Sequence, residues 1–129
     1  MPHPLVTQLR FTRSEWVRGL KAVTAGEAAR RFGPINPIAW MIGHLAWQEQ
    51  LYWLERAQGT TIVPEVKAFG YGKPLSVPPL DEAWAWWRAV TKAADPPHDL
   101  SLLVPPRRIT GRAADARPHA AARFRRRLR

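Results

Sequence analysis

Apolar residues recur at helical spacing in three stretches of the chain. Leu5, Leu9, Trp16, Leu20 and Val23 fall on one side of a helix running from Leu5 to Val23, with Arg10, Arg13, Arg18 and Lys21 elsewhere around the wheel. Thr24 followed by Glu27 is a capping-box pattern, in which each residue satisfies an amide of the other, and it predicts a further turn or two from Ala25 to Arg31. Gly33 and Pro34 stop that piece. Asn36 is placed to cap a second helix, with Pro37 at its first position, where a missing N–H costs nothing.

The second helix is predicted from Pro37 to Gln58 and ends at Gly59. Ile38, Met41, Leu45 and Tyr52 mark one side and Trp40, Trp47, Leu51 and Leu54 another, so its amino-terminal half is expected to be enclosed by other helices. Residues 60–79, rich in Pro and Gly, form a connection too long for a tight antiparallel hairpin and suited to crossing a bundle end. Gly70 and Gly72 read as turn residues, and Lys73 and Glu65 as solvated loop charges able to border a pocket. A third helix runs from about Leu80 to Ala94, with Asp81 and Glu82 at the positive end of its dipole. Leu80, Ala83, Trp84, Trp87, Val90, Thr91 and Ala94 form its inward stripe, and Trp86 lies off it, placed to face a partner or a dimer surface. Pro96 and Pro97 end the helix, and Leu100 to Val104 is a short apolar run too isolated to indicate a sheet.

Composition changes this picture in two ways. The 129 residues carry a formal charge of +10, but residues 107–129 hold nine Arg and one acid, whereas residues 1–106 are nearly balanced and contain all seven Trp. The chain therefore divides into a helical body, 1–106, and a basic Arg/Ala-rich tail, 107–129, expected to be disordered or a short helix. The absence of Cys excludes disulfide frameworks, cysteine zinc sites, iron–sulfur clusters and thiol nucleophiles, so any metal must be held by His and carboxylates. The longest uncharged stretch, Phe32 to Gln48, contains Pro34, Asn36, Pro37 and His44 and is not a membrane span. The amino terminus has no secretory pattern, and a cytoplasmic location is expected.

Arg31 to Trp53, RFGPINPIAWMIGHLAWQEQLYW, carries the motif with most content. Through Asn36, Ile38, Trp40, Gly43, His44, Leu45, Trp47 and Glu49, supported by Trp16 and Leu20, it resembles the DinB-like superfamily over about residues 5–106. The resemblance implies an all-α, up-and-down helical bundle in which three histidines hold a nickel or zinc ion, as in thiol-dependent transferases and isomerases. His44 matches the first ligand. The other two belong to a fourth helix with a His-x-x-x-His pattern, which this sequence lacks; His98 and His119 are not spaced for it.

Three neutral imidazoles hold a divalent ion with a coordination position open, and a single one does not. Glu49, five residues after His44, points elsewhere on the helix. The expectation is a DinB-like bundle whose fourth helix is missing or replaced by an Arg-rich segment, with His44 as a remnant metal-ligand position and no cofactor of its own. It is not expected to be active as an enzyme in this form. Two alternatives stand beside it: a helix-groove interaction or homodimerisation module, and non-specific nucleic-acid binding through the tail. The Arg, Ala, Pro and Gly usage after Pro106 also matches GC-rich DNA read in another frame. A frameshift there predicts a His-x-x-x-His helix in an alternative frame.

Overall fold

The computed structural model describes residues 1–96, so the readings of Leu100–Val104, His98, His119 and the tail lie outside the described residues. Among the described residues four α-helices carry the fold: α1, Pro4–Gly19; α2, Ala25–Ala29; α3, Ile38–Glu49; and α4, Leu80–Ala93. α3 continues as a π-helical stretch, Gln50–Arg56, and a 3-10 helix, Pro64–Phe69, lies in the connection to α4. Among the described residues the only β pairing is the isolated Phe32–Ile35 bridge.

α3 is central, as its pattern predicted: none of residues 37–47 is exposed. Its most buried line is Ala39, Ile42, Gly43, Ala46 and Gln50. These are mostly small, which lets α4 and the 3-10 helix approach closely while the larger aromatics spread to the flanks. The core joins Ile42, Ala46 and Leu54 to Val63 and Val66 from the connection and Ala83, Trp87, Val90 and Ala94 from α4. The α4 stripe is as predicted, with Leu80, Trp84 and Thr91 half-buried beside its buried members.

Four local expectations are corrected. Val6, not Leu5, begins the inner face of α1: Val6 is buried and Leu5 is 62% exposed. Arg13 also lies on that inner face, in phase with Val6, Leu9, Trp16 and Leu20, because Glu49 at the end of α3 and Asp95 just past α4 offer carboxylates to meet it. Asn36 does not cap α3. Pro37 takes the cap position in an extended conformation and no side-chain cap bond forms, leaving Asn36 one residue too far from the first turn's amides. Trp86 does not face outward; it packs against the core with its ring 5.5 Å from that of Phe69.

The capping box is formed. Thr24 N–H donates to Glu27 Oε2 at 2.9 Å and Glu27 N–H donates to Thr24 Oγ1 at 3.3 Å. The Thr24 backbone bond, followed by the hydroxyl bond, lowers the Glu27 pKa. At the other end of α3, Gly59 takes φ +68° and stops the helix as the sequence suggested.

Candidate functional site

His44 sits on α3 between two indoles supplied by the same helix. Trp40, four residues before, stacks on it with ring centres 4.7 Å apart and planes 12° from parallel. Trp47, three residues after, lies 5.3 Å away at 35°. Spacings of three and four residues put these side chains on one face.

The imidazole is held by the 3-10 helix. His44 Nδ1 lies 2.7 Å from the Phe69 carbonyl oxygen. A carbonyl only accepts, so Nδ1 carries the proton, and in the neutral ring Nε2 keeps the lone pair. Gly43 makes this contact possible: a Cβ there would lie 2.9 Å from Phe69 Cδ2. Gly70 is similarly tight, with an added Cβ 3.1 Å from the Trp47 ring. The Gly-His pair thus has a packing logic in which the glycine admits the Phe69 ring and the histidine takes the carbonyl behind it.

His44 lines a cavity of about 300 Å³ with Asn36, Trp40, Tyr71, Lys73 and Leu75, closed on one side by Gly70 and Gly72. Lys73 is brought to the histidine and Glu65 is not; Glu65 lies exposed on the 3-10 helix. Asn36, read as a cap, is a pocket residue instead. Tyr71 had no sequence signal, since it lies in a connection whose path no periodicity fixes.

Nδ1–H bound to a backbone carbonyl, which leaves Nε2 as the free ring nitrogen of a cavity-lining residue, is the arrangement that orients a histidine for a metal. The rest of the ligand set does not follow. Among the described residues no group of three His, Cys, Asp or Glu side chains is placed to hold an ion. Glu49 is engaged elsewhere, in a two-pronged ion pair with Arg13: Nε donates to Oε1 at 3.0 Å and Nη2 to Oε2 at 2.5 Å. The described residues therefore supply one ligand and do not fit a three-histidine metal centre.

A second feature is larger. α1 stands away from α4 along a groove of about 940 Å³, lined on its apolar side by Val17, Leu20, Val23, Leu80, Trp84 and Trp87. At its lower end the groove meets a basic recess bounded by Arg10, Arg13, Arg88, Thr91, Lys92 and Asp95. Ion pairs fix the helices there. Arg10 donates to Asp95 through Nε at 3.0 Å and Nη2 at 2.7 Å, and Arg13 Nη1 donates to Asp95 Oδ1 at 3.3 Å. The Arg10 pKa is raised by its bond to Asp95.

An all-α bundle with the Gly-His motif on its central helix defines the class. The family model of the DinB superfamily matches residues 8–127, and the chain belongs to that superfamily. The match continues past residue 106 in the chain's own reading frame, so it takes in the arginine-rich segment that the motif residues alone left out. No curated protein and no solved structure matches the chain. No helix among the described residues is long and apolar enough to cross a membrane.

Proposed function

We propose that this DinB-superfamily chain works as a helix-groove interaction module and not as a metal-dependent thiol transferase or isomerase. The observation that carries the reading is the groove between α1 and α4, with Trp84, Trp87, Leu20 and Val17 on its walls. A groove with indole and aliphatic walls rimmed by Arg13, Arg18, Lys21 and Arg88 suits the docking of an amphipathic segment. A second copy of the chain is the simplest external partner. His44 is a remnant ligand position in the same proposal: the Phe69 carbonyl takes its Nδ1 and leaves Nε2 as the ligating nitrogen, and one imidazole gives weak metal affinity. We also place the protein in the cytoplasm and confine nucleic-acid binding to non-specific attraction by residues 107–129.

The test measures bound metal and oligomeric mass on one purified sample. Expected are substoichiometric nickel and zinc, together with concentration-dependent association that is lost in Leu20→Asp. One-to-one metal binding that disappears in His44→Ala, without association, would overturn the proposal and restore the transferase reading.

A further inference from the structure

Trp16 Nε1 is the one buried side-chain nitrogen or oxygen among the described residues that has no hydrogen-bond partner. A buried indole N–H normally finds an acceptor, because leaving it unpaired forfeits the bond it made to water. An orphan of this kind marks a place for an acceptor that the chain does not supply.

Trp16 lines a cavity of about 320 Å³ on the α3 side of α1, separate from the His44 pocket. Leu45 of α3, Tyr52 and Trp53 of the π-helical stretch and Trp87 of α4 form its apolar walls. π-Helical turns are uncommon and recur at functional sites. Tyr52 and Trp53 stay about half exposed, at 52% and 45%, so these walls are open to a molecule that would cover them.

The polar groups of the cavity decide the charge of its ligand. Arg13 uses all three guanidinium nitrogens, Nε and Nη2 on the two Glu49 carboxylate oxygens and Nη1 on Asp95 Oδ1. The pair cancels its own charge, and an ionised ligand would leave water without a free counter-charge to meet it. Thr12 Oγ1 donates to the Gln8 carbonyl at 2.9 Å, and Gln48 is exposed. What remains is one buried donor among aromatic walls. A buried water needs several polar partners and is poorly served by one. A cavity of about 150 Å³ takes a benzene ring, so this one has room for two fused rings.

We infer that this cavity binds a small, flat, neutral aromatic molecule whose carbonyl oxygen accepts from Trp16 Nε1. The inference goes beyond the groove reading and does not depend on it.

The test uses the full-length chain and two probes that share a skeleton: indanone, which carries a carbonyl, and indane, which does not. The seven indole N–H resonances are followed in proton–nitrogen correlation spectra, with that of Trp16 assigned sequentially. Expected with indanone is a saturable downfield movement of the Trp16 Nε1–H proton, as a new hydrogen bond produces, and with indane no such movement. In Trp16→Phe, which keeps an aromatic ring in the wall, indanone should bind about tenfold more weakly while indane changes by less than about threefold. Comparing the probes cancels the packing change that the substitution makes. Equal weakening of both probes, a Trp16 resonance that stays fixed while indanone binds, or no binding of indanone would each overturn the inference. If Trp16→Phe does not fold, the titration of the native chain decides alone. None of these readouts depends on oligomeric mass, so the cavity and the groove stand or fall separately.

Discussion

Gly43 and Phe69 show how a short motif gets its meaning from a residue far along the chain. Phe69 is buried, its ring lies against Gly43 and is 5.5 Å from that of Trp86, so it has little room to retreat. Gly43→Ala places a methyl group within 2.9 Å of that ring and is expected to cost about 1–3 kcal/mol, typical of overpacking in a filled core. The displaced ring carries its carbonyl away from His44, so the variant should also lose the single Nδ1–H tautomer. Urea denaturation checks the first effect and nitrogen chemical shifts of the imidazole the second. The sequence contained Gly-His but no sign that residue 69 covers it, because a contact across 25 positions leaves no period. Glu27 is the opposite case, legible from a four-residue pattern. Its hydrogen bonds to Thr24 hold its pKa below the ordinary 4.5, so its contribution to stability is complete above that value and is lost as pH falls through the lower, folded-state value. The urea midpoint of the native chain should therefore fall more steeply than that of Glu27→Gln between about pH 5 and pH 2. Parallel pH profiles would show that the charge of Glu27 adds nothing to the capping box.

The elements were placed well where one apolar stripe decides the face, as in α4, and less well where polar groups point inward. The sequence pattern sets Arg13 apart from the apolar stripe of α1. Its side chain is instead only 11% exposed, beside Glu49 at 13%, and the pair holds α1 to α3. Truncating either partner strands the other in a partly dry site. Glu49→Ala and Arg13→Ala are each expected to cost roughly 2 kcal/mol, below the about 3–5 kcal/mol of a fully buried pair. The double variant should cost clearly less than the two losses added, as a double-mutant cycle would measure. The π-helical stretch was also invisible to periodicity, because Leu54 is buried in line with Gln50 and the apolar spacing runs through. Gln50 is fully buried and staples the connection to the helix: its Oε1 accepts from Ile62 N–H at 3.1 Å and Val63 N–H at 2.7 Å, and its Nε2 donates to Val63 O at 3.0 Å. Gln50→Leu keeps the volume but leaves those backbone groups unpaired, and an equilibrium unfolding loss of about 2–4 kcal/mol is expected. A loss below about 0.5 kcal/mol would mean that water or a shifted loop repairs the bonds.

At the scale of the whole molecule the fold class came from residues 5–106 and the family from a 23-residue segment, whereas the groove was not legible, because an unfilled space between helices has no pattern of its own. Charge distribution, by contrast, was read entirely from sequence and separates two kinds of binding. The body offers Arg88 and Lys92 as local cations in a recess, while residues 107–129 concentrate nine Arg with one acid. Attraction of the latter to nucleic acid is expected to follow counterion release, with log K falling against log salt by about 0.9 for each duplex phosphate neutralised. Replacing Arg123, Arg125, Arg126 and Arg127 by Gln should therefore reduce that slope by up to about 3.6 and weaken binding alike for all sequences, as filter binding over a salt series would show. Arg88→Gln with Lys92→Gln should leave the slope nearly unchanged, because those side chains serve the groove. The reverse pattern would move polyanion recognition from residues 107–129 to the recess and make the groove, not the tail, the basic surface of this protein.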